Sequence, residues 1–131
     1  MDPLHILLVE DDPDDIDLLQ AAMKKAQVPF QMATIMQGDS VFPYLSTLTR
    51  LPDVIVLDLN LPRMHGKEVL QLLKTSTSFQ HIPVAILTTS SSATDRDFCQ
   101  KAGAEVFLTK PTTVEGFQAI TSAILQAAAV S

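Results

Sequence analysis

Short runs that are apolar at every position alternate along this 131-residue chain with segments of helical periodicity. The clearest run is Val54–Leu57, in which Val, Ile, Val and Leu follow one another. A strand that is apolar on both faces has to be covered on both faces, which is typical of a parallel sheet between two layers of helices. We therefore expect five strands, at residues 5–9, 31–35, 54–57, 84–87 and 106–109.

The helical segments lie between and after these runs. Asp12 and Pro13 suit an N-cap and a first helical residue, and Gly103 suits the end of the fourth helix. The other predicted helices span 39–48, with a break or bend near Pro43, then 66–75, 93–102 and 114–128. The apolar spacing predicts these sheet-facing residues: Ile16, Leu19, Met23 and Ala26; Val69, Leu72 and Leu73; Val114, Phe117, Ile120 and Ile124. Five strands alternating with five helices predict one doubly wound α/β domain.

Composition excludes several classes of protein. The net charge is −6 with no cluster of Lys or Arg, so a direct nucleic-acid interface is not expected. The apolar runs are far shorter than a membrane span, and the N-terminus lacks the pattern of a signal peptide. Cys99 is the only cysteine, so we expect no intrachain disulfide, a small packing residue at this position, and a cytoplasmic protein.

Polar groups follow the predicted strands at their carboxyl ends, where ligands bind in sheets of this kind. Glu10 and Asp11 follow the first strand, Asp58 the third, Thr88 ends the fourth and Lys110 follows the fifth. Six of the eight residues from 10 to 17 are acidic, and such a cluster needs a compensating cation. Carboxylate oxygens are ligands for Mg²⁺, a carboxylate can attack phosphorus, and a hydroxyl and an ammonium can bind phosphoryl oxygens.

The chain resembles the receiver domain of two-component response regulators over about residues 4–127. The resemblance rests on four segments in order: 6–13 (ILLVEDDP), 56–66 (VLDLNLPRMHG), 83–88 (PVAILT) and 102–111 (AGAEVFLTKP). It implies a flavodoxin-like sheet in the order 2-1-3-4-5 and a phosphoryl group accepted from a sensor histidine kinase. It also implies that the domain promotes its own phosphotransfer and dephosphorylation and is not otherwise an enzyme.

Roles for individual residues follow from the resemblance. Asp58 is the expected phosphoacceptor, Asp11 a direct Mg²⁺ ligand, Glu10 a ligand through water, and the Asn60 backbone carbonyl a further ligand. Thr88 is the expected switch hydroxyl, Phe107 the aromatic residue that rotates inward in the active state, and Lys110 the partner of the phosphoryl oxygens. The Lys110–Pro111 bond is expected to be cis. Glu10, Phe107 and His65 depart from the commonest pattern, and His65 suggests a weak pH sensitivity.

The resemblance and the composition also predict partners. We expect a single receiver domain without an output domain, paired with a histidine kinase that is similar to phytochromes. From residue 112 onward Glu115 is the only charged residue. Charge depletion of this kind marks interface cores, so we expect a homodimer through the fourth helix, fifth strand and fifth helix, using Gln118, Ser122, Leu125 and Gln126.

Four other interpretations compete with this one. A flavodoxin-like electron carrier would need a Ser-, Thr- or Gly-rich loop where this chain is acidic. A phosphatase of the aspartyl-phosphate type would carry its nucleophile after the first strand. A pseudo-receiver that only binds partners would not need Asp58, Thr88 and Lys110 together. A receiver that is part of a larger regulator would have the same sequence features.

Overall fold

The fold is a five-stranded parallel sheet with helices on both faces. The computed structural model describes residues 2–129, and its strands have the order β2-β1-β3-β4-β5. The strands are β1 (Leu4–Val9), β2 (Phe30–Ile35), β3 (Val54–Leu57), β4 (Val84–Thr88) and β5 (Val106–Thr109). The predicted fold class and strand order are confirmed.

The central strand is β3, which lies between β1 and β4. Its residues are all fully buried, and Ile55 pairs with Leu7 on one side and with Val84 on the other. The apolar run that predicted a two-sided strand is therefore the one that both helical layers cover.

The helices are α1 (Pro13–Lys25), α2 (Val41–Leu45), α3 (Gly66–Thr75), α4 (Ala93–Ala102) and α5 (Val114–Ala129), with a 3-10 turn at Gly38–Ser40 before α2. The Asp12 carboxylate caps α1 by accepting the Asp14 amide N–H at 2.9 Å. Gly103 ends α4 in the left-handed region with φ of 108°, where a residue without a Cβ avoids strain. These two predictions at helix ends are confirmed.

Four details of the helices differ from the prediction. α2 ends at Leu45, and Pro43 lies inside it without a break, because the first turn of a helix does not need that N–H. Leu72 was predicted to face inward but is 46% exposed, and Leu70 is buried in its place. Val114 is 47% exposed as the first residue of α5. Ala26 is exposed because α1 ends before it.

The sheet separates two apolar interiors. The first, here called the α3–α4 core, includes Leu57, Leu70, Ile86, Cys99 and Phe107. The second, the α1–α5 core, includes Leu8, Met23, Val56, Phe117 and Ile124. Cys99 is a buried free thiol, as predicted for a packing residue. Within residues 2–129 there is no helix with the length and apolar character that crossing a bilayer requires.

Candidate functional site

The carboxyl ends of the strands bring the predicted polar residues to one edge of the sheet. The Asp58 amide N–H donates to the Val9 carbonyl at 3.1 Å, and the Lys110 amide N–H donates to the Thr88 carbonyl at 2.7 Å. The first bond continues the pairing of β1 with β3 by one residue, and the second continues the pairing of β4 with β5. The side chains that follow β1, β3 and β5 therefore start from fixed positions on neighbouring strands.

Three carboxylates meet at this edge. Glu10, Asp11 and Asp58 each offer an oxygen, and these atoms lie within 4.8 Å of one another. Glu10 and Asp58 are buried and Asp11 is exposed. Buried side chains that supply only oxygen, beside one open toward water, suit a hard divalent cation that keeps part of its water shell. The donor set therefore fits a divalent metal ion.

Backbone amides hold two of these carboxylates in place. The Glu10 Oε2 atom accepts the amide N–H groups of Asp11 at 3.1 Å and Asp12 at 3.2 Å. The Asp58 Oδ1 atom accepts the Asn60 amide N–H at 3.4 Å. One oxygen of each carboxylate is thus fixed by the chain, and the other faces the site. Asn60 is exposed beside Asp58, and the metal role of its carbonyl stays a prediction.

Lys110 is the cation that pairs with the buried carboxylates of the site. Its Nζ atom lies 2.8 Å from Glu10 Oε1, 2.9 Å from Asp58 Oδ2 and 2.9 Å from Asp15 Oδ2. The Lys110 side chain is only 8% exposed. An ammonium has three donors, and here each of them has a carboxylate partner.

Burial and these ion pairs raise the pKa of both Glu10 and Lys110, but for different reasons. Burial raises the pKa of Glu10 to about 7. The Lys110 hydrogen bond opposes this rise, and the Asp58 charge adds to it. Burial alone would lower the pKa of Lys110, but hydrogen bonds to Glu10, Asp15 and Asp58 outweigh it and raise that pKa. Lys110 therefore stays charged at neutral pH, whereas Glu10 is close to its titration point.

The two predicted switch residues are both buried. Thr88 ends β4, and its hydroxyl oxygen accepts the Ser90 amide N–H at 3.4 Å. Phe107 belongs to the α3–α4 core, with the Arg96 guanidinium carbon 5.0 Å from its ring centroid. The aromatic ring therefore already lies inward in this structure, with a cation from α4 over its face.

The prediction of a cis bond between Lys110 and Pro111 is wrong. The structure contains only trans peptide bonds within the residues that it describes. Trans is the isomer that X–Pro bonds favour by about 0.5–1 kcal/mol, and Lys110 reaches its three carboxylates with it.

Two parts of the site were not found from the sequence. One is Asp15, which is inconspicuous within the acidic run from 10 to 17 and whose direction depends on how α1 lies against the sheet. The other is a bridge between α3 and α4, in which the Asp95 carboxylate binds Lys67 Nζ and accepts the Ser90 hydroxyl at 2.6 Å. Lys67 is far from Asp95 in sequence, and the three residues form no motif.

The predicted interface residues on α5 do not share one surface. Gln118, Ser122 and Gln126 are exposed. Leu125 is half-buried and packs against the α1–α5 core, beside a hollow that Leu4 and Val28 also line. The structure therefore corrects the expectation that Leu125 lies on the open face, because its position on α5 turns it toward β1.

Comparison with known proteins gives the family. Residues 6–122 match the model of the response regulator receiver domain. The chain is 33% identical over 113 residues to the response regulator Rcp1 of Synechocystis, which covers 82% of this chain and 77% of that protein.

Solved structures agree with this match. The phosphorylated cyanobacterial phytochrome response regulator RcpA superposes with a TM-score of 0.87 at 32% identity, covering 95% of this chain and 93% of that one. The Mn²⁺-bound form of Rcp1 superposes with a TM-score of 0.84 at 30% identity, covering 93% and 91%. With the fold, the acidic cluster and this family match together, the chain belongs to the response regulator receiver domains.

Proposed function

We propose that this receiver accepts a phosphoryl group on Asp58 from a sensor histidine kinase and passes the signal on through a protein contact. The observation that carries the proposal is the convergence of Glu10, Asp11 and Asp58 with the Lys110 ammonium 2.9 Å from Asp58. Asp58 contacts the one buried cation of this cluster and contributes an oxygen to the group of three acids that could hold a metal ion. Its position suits a nucleophile, because a phosphoryl group on Asp58 would be negatively charged and would have Lys110 and a metal ion as positive neighbours.

Mg²⁺ is the metal that we assign to this site. Glu10, Asp11 and Asp58 would hold it with the Asn60 carbonyl, Glu10 through a water. When bound, Mg²⁺ neutralises the carboxylates and stabilises the charge on the transferring phosphoryl group. The fit rests on the donor set, and it is supported by the existence of a Mn²⁺-bound form of the similar protein Rcp1.

The chemistry assigned to the chain's own residues is a displacement at phosphorus. An Asp58 carboxylate oxygen forms a bond to phosphorus while the bond from phosphorus to the kinase histidine nitrogen breaks, and that nitrogen keeps the electron pair. Lys110 pairs with a phosphoryl oxygen of the product. Hydrolysis reverses the state, since water attacks the acyl phosphate and releases inorganic phosphate and the free Asp58 carboxylate.

The conformational response is assigned to Thr88 and Phe107. The Thr88 hydroxyl would leave the Ser90 amide and donate to a phosphoryl oxygen. This movement would change the loop between β4 and α4 and the packing of Phe107 beneath α4. Such a population shift requires only that, in the phosphorylated protein, the hydrogen bonds of the switched state are more favourable than those of the resting state.

The partners follow from the family and from the surface. The names of the similar proteins RcpA and Rcp1 associate them with phytochrome signalling and response regulation, so we propose a phytochrome-like histidine kinase in the cytoplasm as the phosphodonor. We also propose a homodimer across α4, β5 and α5, where Ser122 and Gln126 are exposed and α5 carries one charged residue.

The direct test measures the mass of the intact protein after incubation with acetyl phosphate and Mg²⁺. Wild type should gain one phosphoryl group, and EDTA should prevent the gain. Asp58→Asn should gain none, whereas Asp17→Asn, which removes an exposed acid of α1, should behave as wild type. Labelling of Asp58→Asn at the wild-type rate would place the acceptor elsewhere.

A further inference from the structure

The three carboxylates that surround Lys110 are not equivalent. Glu10 and Asp58 also belong to the cluster that can hold a metal ion, and Asp15 does not. The charges of Glu10 and Asp58 therefore have a second partner in the proposed metal site. Asp15 has Lys110 as its ion pair, with the two atoms 2.9 Å apart.

The local structure of α1 directs Asp15 toward Lys110. Asp15 is the third residue of the helix after the Asp12 cap, a position from which a Glu or Gln side chain commonly turns back to the amide N–H of the N-cap. Here the Asp12 amide N–H donates to Glu10 Oε2 instead, at 3.2 Å. The Asp15 carboxylate is therefore available to Lys110.

We propose that Asp15 is a positioning residue that holds Lys110 in the unphosphorylated arrangement and competes with the phosphoryl group for its ammonium. This inference rests on the proposed function of Asp58. Asp15 then sets the balance between the resting and the phosphorylated arrangements of the site.

The competition follows from the number of donors on Lys110. All three have carboxylate partners in this structure. Phosphorylation turns the Asp58 carboxylate into an acyl phosphate and frees the donor that served it, whereas a second bond from Lys110 to the phosphoryl group requires that Glu10 or Asp15 be given up. Releasing a buried carboxylate from its ammonium is more costly than releasing one that water can reach. The Asp15 side chain is 22% exposed, against 3% for Glu10 and 5% for Asp58, so water can solvate it after release.

The test is a titration with beryllofluoride, a mimic of the phosphoryl group, in saturating Mg²⁺. Binding is followed by amide chemical shifts. Asp15→Asn should bind the mimic roughly two- to fivefold more tightly than wild type, the range expected for one partly exposed ion pair. The matched control is Asp14→Asn, which removes the same charge from the adjacent exposed residue of α1 and should bind as wild type does.

A double-mutant cycle with Lys110→Ala separates competition from general electrostatics. If Asp15 acts through Lys110, the gain from Asp15→Asn disappears in the Lys110→Ala background. The Lys110 Nζ resonance of the resting protein gives a second reading that does not depend on mimic binding. Asp15→Asn should shift it, and Asp14→Asn should not.

Equal affinities for Asp15→Asn and Asp14→Asn, or an unchanged Lys110 Nζ resonance in Asp15→Asn, would overturn the inference. So would a gain of equal size with and without Lys110. Failure of the wild-type protein to bind beryllofluoride would instead contradict the proposed function, so the two failures are distinguishable.

Discussion

Glu10 is the residue in the site whose charge is most sensitive to its surroundings. It is buried beside Asp58 and Lys110, and burial raises its pKa to about 7, above the ordinary value of 4.5. The stability that its protonated form contributes is present below pH 4.5 and is lost as pH rises through about 7. A cation that binds the ionised carboxylate compensates for this loss.

Mg²⁺ affinity should therefore rise with pH. Glu10 would act through a water and attracts the ion only as a carboxylate, so its proton competes with Mg²⁺. A group with a pKa near 7 is about tenfold more ionised at pH 8 than at pH 6. We expect a comparable, roughly tenfold difference in the Mg²⁺ dissociation constant, measured by titration at the two pH values. Glu10→Gln leaves all three histidines in place. If Mg²⁺ affinity still rises with pH in this variant, another group causes the pH dependence.

Thr88 should affect the response to phosphorylation more than phosphorylation itself. Its buried hydroxyl contacts Ser90 in the resting state, and in the proposed switched state it would bond a phosphoryl oxygen. Losing a bond of about 1 kcal/mol changes the population of the switched state about fivefold. Thr88→Ala should gain phosphate mass as wild type does, while its amide spectrum changes less. Full-sized spectral changes in Thr88→Ala would refute the role.

At the scale of elements, the start of α3 determines where the Asp58 loop lies. A Cβ atom at Gly66 would come within 2.2 Å of the Asp58 carbonyl oxygen and 2.6 Å of the Leu59 Cα atom. The Gly66 amide N–H donates to the Leu59 carbonyl at 2.8 Å. Backbone therefore contacts backbone directly, and neither side can move to make room for a side chain.

Gly66→Ala should displace this loop and disturb the acceptor site. We expect a loss of about 1–3 kcal/mol in the free energy of unfolding, the usual cost of overpacking, together with slower labelling by acetyl phosphate. Gly103→Ala is the control, since its left-handed φ of 108° predicts a cost of about 1–3 kcal/mol far from Asp58. Gly103→Ala should lose stability and keep its labelling rate, and similar rates for both variants would contradict a role of Gly66 in the site.

The sequence predicted the strands better than the directions of individual side chains. Val54–Leu57 is apolar on both faces, so its place at the centre of the sheet did not depend on register. In α3, apolar residues at 69, 70, 72 and 73 leave two possible faces, and only packing against α4 decides between Leu70 and Leu72.

The same distinction holds for the site. Glu10, Asp58 and Lys110 were predictable because each directly follows a strand, and parallel strands end at one edge. The direction of Asp15 depends on the rotation of α1 about its axis, and the Lys67–Asp95 pair depends on how α3 lies beside α4. Tertiary packing, which a local pattern does not encode, determined both.

At the scale of the whole molecule, the outer surface of α5 is the largest departure from the acidic character of the chain. Glu115 is its one charged residue between 114 and 129, and Ser122 and Gln126 are exposed one turn apart. Charge depletion favours a self-complementary contact around a two-fold axis. Leu125 faces the α1–α5 core, so a charge there would damage the monomer and does not test the interface.

The variant that tests the dimer is Ser122→Glu with Gln126→Glu. Two uncompensated charges per protomer near the proposed axis should separate the protomers. Sedimentation should give a dimer for phosphorylated wild type and a monomer for the double variant. Ala21→Glu, on the exposed side of α1, should stay dimeric. Equal masses for phosphorylated wild type and the double variant would contradict the proposed surface.

The sheet divides the interior into two cores, and this division affects how a signal would reach the surface across α4, β5 and α5. Phe107 and α4 belong to one core, and α5 belongs to the other. A rearrangement around Phe107 can loosen amide hydrogen exchange in α3 and α4 while α1 and α5 keep their protection. The face formed by α4 and α5 would then have one mobile edge and one fixed edge, so a partner would detect the displacement of one layer relative to the other.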